Sequence, residues 1–297
     1  MSTRPKATIP SLIFDIFNYT FMFGIVVLFL YPFVNLMAIS LNEGNDAMRG
    51  GIYFWPRKFS LGAYELLAQN PKMAQGFMWS VLRVVVGTST SLFVTGLLAF
   101  VITNQRFSGR KFLRTLFFVT MYFNGGLIPT YLLMLKLGLT DTFLVYIVPG
   151  LFNVYFMLLM SSYFQNIPDA IFDSARIDGA SEFRIYLRIV MPIAVPVYAA
   201  VSIYSAVAHW NSWFDVVLYN PSGAFDTLQV LLRRILLEVE GIGLIRDQQL
   251  LYHKFSSLTP LTLNAATTMV VVLPVLLVYP FLQKYFIGGL TIGSVKG

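Results

Sequence analysis

Six stretches of this chain carry no Asp, Glu, Lys or Arg over more than twenty residues each: 16–42, 84–105, 115–135, 142–168, 189–214 and 255–283. A helix crosses the hydrocarbon core of a bilayer in about 20 residues. In lipid, only a helix or a closed barrel can satisfy its own backbone polar groups. Runs this long and apolar predict an all-α, polytopic membrane protein with six transmembrane helices, about 16–40, 84–105, 115–135, 142–164, 189–214 and 260–283. Composition agrees, with 57% hydrophobic and 12% charged residues, against roughly a quarter charged in soluble domains. The first run is too long for a removed signal peptide and lacks a small-residue cleavage pattern, so it is expected to persist as an anchor. No repeat, low-complexity tract or soluble domain stands out, and residues 1–297 read as a single transmembrane domain.

Orientation follows from lysine and arginine in short segments, which stay on the cytoplasmic side. Arg4 and Lys6, then Arg106, Arg110, Lys111 and Arg114, then Arg176, Arg184 and Arg188, then Lys284 and Lys296 fall on one side of the predicted spans. The opposite side holds a comparable number of basic residues, spread mainly over the two long loops 43–83 and 215–254. The first set is therefore expected to be cytoplasmic, together with both termini. The net charge of +7 is explained by residues flanking spans rather than by nucleic-acid binding. Within the second long loop, Thr227–Gly241 places leucines and Ile235 at helical spacing beside Arg233, Arg234, Glu238 and Glu240. That pattern predicts an amphipathic helix against the membrane, a partner or the fifth and sixth spans.

The cytoplasmic connector at 165–189 is polar and charged between two apolar runs. Pro168 suits a first helical turn, and Asp169 and Asp173 place negative charge towards the positive end of that helix. Gly179 is the natural stop, because glycine enters the left-handed region without steric cost. Ser181 can cap a second helix, in which Phe183, Tyr186, Leu187 and Val190 recur at i, i+3, i+4 and i+7. Pro192 and Pro196 mark the return into the membrane. A helix held out by such a connector is a handle for another protein.

These residues resemble a known signature. Asp173-Ser174-Ala175, Asp178-Gly179-Ala180, Ile189, Pro192 and Pro196 match the EAA loop of bacterial ABC importer permeases, with Asp173 and Ser174 replacing the family's glutamate and first alanine. Phe54–Leu66, His209–Phe214 and Gln283–Gly297 are similar to the carbohydrate-uptake branch, so the resemblance runs along nearly the whole chain. It implies the type I ABC importer permease fold in the bacterial inner membrane. It also implies four kinds of neighbour: lipid, a second and different permease subunit, two ATP-binding subunits and an extracytoplasmic solute-binding protein. ATP and Mg would be bound by the partner ATPases, leaving no cofactor, catalytic residue or metal in this chain. The implied coupling residues are Asp173, Ser174, Ala175, Arg176, Asp178, Gly179 and Ala180. Gly179 would permit the turn, Ala175 and Ala180 close approach, and Asp173 with Arg176 ionic contacts to the ATPase. The tail Gly288–Gly297 would reach the same subunits.

Chemical motifs are mostly missing. No G-x-x-x-x-G-K-[ST] loop occurs, so the chain lacks the usual ATP-hydrolysing machinery. The two histidines, His209 and His253, have no H-E-x-x-H context, and a chain without cysteine holds no thiolate metal site. The charge-free spans hold no buried carboxylate, which disfavours an ion-coupled carrier. An importer of an oligosaccharide, driven by a separate ATPase, is the resulting expectation. A permease of the same superfamily for a polyamine or peptide is the alternative, and an intramembrane enzyme is the third reading. Polar groups are costly in hydrocarbon unless they face a cavity or partner. Tyr122 and Asn124 in the third span, and His209, Trp210, Asn211 and Trp213 in the fifth, are therefore the candidate substrate pathway. Arg233, Arg234, Arg246 and Lys254, with Arg83 at the second span, would favour an acidic sugar such as a uronate polymer, diluted by Glu238, Glu240 and Asp247.

Overall fold

The computed structural model describes residues 9–123, 125–242 and 258–290, and these are helical with no β-strand. Asn124, Arg246, Asp247, His253, Lys254 and the tail from 291 onward lie outside the described residues. The helices are α1 (Ile9–Ser40), α2 (Gly62–Gln69), α3 (Pro71–Thr103), α4 (Arg110–Thr120), α5 (Leu127–Lys136) and α6 (Val154–Phe164). They continue as α7 (Asp169–Ile177), α8 (Glu182–Ile193, with a π turn at 186–190), α9 (Val195–Asn211), α10 (Phe214–Tyr219), α11 (Leu228–Ile242) and α12 (Pro260–Leu290).

Among the described residues, three helical stretches are long and apolar enough to cross a membrane: Pro10–Ser40, Pro71–Thr103 and Pro260–Leu277. Two bent pairs raise the number to five: Phe143–Gly150 with Val154–Phe164, bent by 49°, and Glu182–Ile193 with Val195–Asn211, bent by 83°. The predicted third span, 115–135, is divided into α4 and α5 by the segment at 121–126. There Gly126 takes φ 87°, which a helix cannot contain. The predicted second span begins too late: α3 starts at Pro71, ahead of Lys72 and Arg83. A count based on charge-free runs ends wherever a charge occurs, even when that charge is buried and paired.

The chain forms two compact units. The first comprises residues up to Asn70 and Arg234–Leu273. In it, the loop after α1 is tied down by side chains. The Asn35 amide donates to the carbonyls of Ile52 (2.7 Å) and Tyr53 (3.2 Å), and Ser40 and Tyr64 share a hydroxyl hydrogen bond of 2.7 Å. Asn42 pairs with Phe59 in an isolated antiparallel bridge. Beside it Arg57 Nε donates to Asp46 at 3.1 Å.

The second unit comprises Pro71–Arg233 and the residues from Pro274. Its organising element is α3. Gly76, Ser80, Arg83, Gly87, Ser91, Thr95 and Ala99 are all buried and recur every three or four residues along one face. Small residues at that spacing let helix backbones approach closely in a membrane, and α9 and α6 pack along the seam. The core around its C-terminal part is built from Ala99, Phe100, Met157, Phe164, Tyr186 and Val201. A second cluster joins Met134, Tyr146, Val216, Tyr219 and Val230.

Candidate functional site

The connector after α6 builds α7 and the start of α8. The Asn153 side chain caps α6, accepting from Phe156 N–H at 3.1 Å, and the chain then turns at Pro168, which occupies the N-cap of α7 rather than its first turn. Gly179 stops α7 with φ 78°. The Gly179 N–H donates to the Arg176 carbonyl and the Ala180 N–H to the Ala175 carbonyl, each at 3.0 Å, the paired bonds of a Schellman stop. Ser181 then caps α8 by accepting from Arg184 N–H at 3.3 Å.

Within this loop Ala175 is buried, Ala180 packs against the core, and the Ser174 hydroxyl donates to the Ala170 carbonyl at 2.9 Å. Asp178 is exposed, and Ile177, the last residue of α7, is 86% exposed. Asp173 and Arg176, expected to reach outward, are engaged within the chain. Arg106 and Arg176 both donate to Asp173, at 3.1 and 3.2 Å. Arg176 Nε donates to Glu182 at 2.8 Å. The Glu182 carboxylate is the main cause of a guanidinium pKa raised above its ordinary value. Asn104 donates to Glu182 at 2.9 Å and Gln105 to Asp169 at 3.1 Å. The segment 104–106 after α3 thus clasps both connector helices, around a cavity of about 570 Å³. Sequence reading missed this clasp because its partners lie 64 to 78 residues apart.

The predicted periodicity of α8 is altered by the π turn. Ile185, Tyr186 and Val190 are fully buried, whereas Phe183 and Leu187 face outward. Two of the four predicted positions, Tyr186 and Val190, thus lie on the buried face, and Ile185 joins them in place of Phe183 and Leu187.

The candidate pathway residues divide. His209, Trp210, Asn211 and Trp213 gather at the end of α9. Tyr122 lies in the break after α4, exposed, with its ring against Phe118. His209 packs into α3 where Gly87 has no side chain; a Cβ there would come within 2.6 Å of the imidazole. Trp210 is buried edge-on to Phe77 and borders an apolar cavity of about 280 Å³ with Val81, Val85, Ile203 and Val207. Asn211 is exposed and accepts from Gln229 at 3.4 Å. Arg233 lies over the Trp213 ring at 3.8 Å, so its charge is stacked on an aromatic face.

Beneath this cluster is an ion pair that sequence reading placed nowhere. Arg83, 3% exposed, donates both terminal nitrogens to the Asp215 carboxylate, and its guanidinium lies 4.8 Å from the Tyr146 ring centre. Ser212 Oγ (2.7 Å) and the Val216 N–H (3.0 Å) donate to the same carboxylate. The expectation that Arg83 would attract an acidic solute is corrected: its charge is neutralised and buried. The sequence signal was present, since Arg83 immediately precedes one charge-free run and Asp215 immediately follows another.

No family model matches the chain. It is 34% identical over 287 residues to the polygalacturonan/rhamnogalacturonan transport system permease protein YtcP of Bacillus subtilis, covering 96% of this chain and 99% of that one. It is 33% identical to the protein LplC of the same organism, covering 96% and 95%. This chain belongs to the ABC transporter permeases. As a member it is a transport subunit of a multi-pass membrane assembly and not an enzyme. The arabinooligosaccharides transport system permease protein AraQ of Halalkalibacterium halodurans is 26% identical across 90% of this chain and 91% of its own. A solved bacterial ABC transporter involved in the import of the acidic polysaccharide alginate contains a chain superposing with a TM-score of 0.84. That chain is 26% identical, and the match covers 95% of this permease and all of its counterpart.

Proposed function

We propose that this permease is one of two different transmembrane subunits of an importer that brings acidic oligosaccharides into the cytoplasm, with uronate-containing chains as the substrate class. The observation that carries the reading is the connector at 165–189. Two short helices joined by the Gly179 stop present an exposed apolar tip at Ile177, backed by the Arg106–Asp173–Arg176–Glu182 clasp. Such a tip fits a groove on an ATP-binding subunit, with ATP and Mg held there. Six spans, cytoplasmic termini and an extracytoplasmic binding protein complete the arrangement.

Support for an acidic sugar comes from the names of the related systems, which transport polygalacturonan or alginate. In this chain, exposed Arg233 beside Trp213 and Asn211 adds an aromatic face, hydrogen-bonding groups and positive charge at one helix end. Sugar rings present C–H patches and hydroxyls, and uronates add carboxylates, which suit that set.

Coexpression with the companion permease, ATPase and binding protein, followed by reconstitution into liposomes, tests both levels. The expected result is ATP-dependent uptake of oligogalacturonate in preference to a neutral oligosaccharide of equal length. Equal uptake of both removes the acidic preference, and failure to associate with an ATPase overturns the coupling role. Asn211→Ala and Arg233→Ala should lower uptake while leaving ATPase association intact.

A further inference from the structure

The sharper of the two bent helix pairs is α8 with α9, which turn by 83° at Ala194–Pro196. A pair of tyrosines closes this corner. Tyr186, before the bend, is fully buried, and its hydroxyl donates to the Phe93 carbonyl of α3 at 3.0 Å. Tyr198, after the bend, lies 2.9 Å from the Tyr186 hydroxyl. A hydroxyl has one proton to give. Tyr186 gives its own to Phe93, so Tyr198 donates to Tyr186. The resulting chain runs from α9 through α8 to the backbone of α3.

The third wall is Gly96. A Cβ there would overlap the Tyr198 hydroxyl and lie within 2.8 Å of the Tyr186 hydroxyl. Both phenol groups fit against α3 because this residue has no side chain. The Tyr186 ring is held further by Phe93 and Phe100, at centroid distances of 6.0 and 5.8 Å. Two hydroxyls in an apolar core gain nothing from water, so their mutual bond and the carbonyl hold the geometry.

We propose that Tyr186 and Tyr198, seated on Gly96, are positioning residues that fix the angle between the ATPase-facing connector and α9. From Tyr198 to Asn211 the helix extends about 20 Å, so an angular play of 3° at the corner displaces the Asn211 end by roughly 1 Å. A stiff corner converts movement of the connector into movement of the helix end that carries His209, Trp210 and Asn211. The pair touches no substrate and acts through α9. Its consequence for transport rests on the importer reading above; its effect on the corner does not.

The chain has no cysteine, which permits a direct test. Nitroxide labels at Ile177→Cys and Val207→Cys in the purified full-length chain in nanodiscs report the connector-to-α9 distance. The expected result is a narrow distribution that widens when Tyr186→Phe and Tyr198→Phe are introduced together. An unchanged width overturns the proposal. In the assembled transporter, Tyr198→Phe should lower substrate moved per ATP hydrolysed by about fivefold or more, with ATPase association and basal hydrolysis retained. Because the hydroxyls act in series, the double variant should lose no more than Tyr186→Phe alone. Gly96→Ala should reproduce the defect from the facing helix. Lowered thermal stability with an unaltered transport-to-ATP ratio would make the pair merely structural and would also overturn the proposal. A wild-type complex without ATP-driven uptake defeats the importer reading, while the label distances still decide the corner.

Discussion

The two arginine–carboxylate sites of the second unit use the same chemistry in opposite surroundings. Around the connector, Arg106, Asp173, Arg176 and Glu182 share several acceptors, and the Arg106 and Asp173 side chains are 63% and 55% exposed. At the end of α9, Arg83 and Asp215 form one pair, with 4% and 26% of their side chains exposed. Exposed pairs contribute about 0–1 kcal/mol each and weaken with salt. A buried pair is hard to break because the abandoned partner keeps its charge without solvent. The connector can therefore exchange partners when another protein binds, whereas Arg83–Asp215 fastens α10 to α3 permanently. Substitutions at four sites test this contrast.

The largest effect is expected at Arg83. Arg83→Met strands Asp215 and should destabilise the chain by about 3 kcal/mol, at the low end for a buried pair because Asp215 retains some solvent. Arg83→Met with Asp215→Leu should recover most of that loss. Thermal unfolding in detergent reads both; a single variant that melts with the wild type would remove the distinction between the two sites.

Next comes Gly179, the hinge of the exposed region. Its φ of 78° costs a side-chain-bearing residue about 1–2 kcal/mol. Nothing lies within 4 Å of the place a Cβ would occupy, so the damage should be confined to the loop. Gly179→Leu should insert and fold, yet lose substrate-stimulated ATP hydrolysis and uptake. Normal coupling in this variant would show that the turn is not the docking element.

Smaller effects are expected in the clasp itself. Arg106→Ala and Glu182→Gln should each change stability by less than about 1 kcal/mol. The wild-type advantage should shrink further near 0.5 M salt, where the Debye length is about 4 Å. A double-mutant cycle at low and high salt measures this. Salt-independent coupling above 2 kcal/mol would mean that the connector is as rigid as the buried pair.

Legibility in the sequence follows the range over which each feature is determined. Gly179 and Ser181 act on backbone groups within a few residues, so the stop and cap of the connector could be read directly. The seam of α3 is also local, with Gly76, Ser80, Arg83, Gly87, Ser91, Thr95 and Ala99 spaced by three or four residues, but periodicity in an apolar helix does not say which partner it meets. Arg83–Asp215 spans 132 residues, and only folding brings the two ends of separate charge-free runs together. The bend of α9 is announced by Pro192 and Pro196, although its angle depends on Tyr186, Tyr198 and Gly96 meeting in space. Span bounds could not be read where helices break without charge, as at Gly126, or continue past one, as at Arg83.

Asp46, in the first unit, lies between the two extremes in exposure, and the near-isosteric Asp46→Asn, which removes only charge, should give the smallest effect. It is buried as a residue, while its partner Arg57 is 43% exposed. The Asn42 amide donates to its carboxylate at 3.0 Å and is the main reason that its pKa lies below the ordinary aspartate value, with Arg57 adding to the shift. Because the folded-state pKa is lowered, the contribution is fully present above the unfolded value near 4. It fades as the pH falls through the lower folded value. Asp46→Asn should therefore melt below the wild type at neutral pH, and the difference should narrow on acidification below about pH 4. Arg57→Ala should leave part of this pH dependence, since the Asn42 hydrogen bond remains. A gap that persists undiminished at low pH would show that Asp46 stabilises the loop by its shape and hydrogen bonds alone. Its place between the exposed clasp and the buried pair would then be lost.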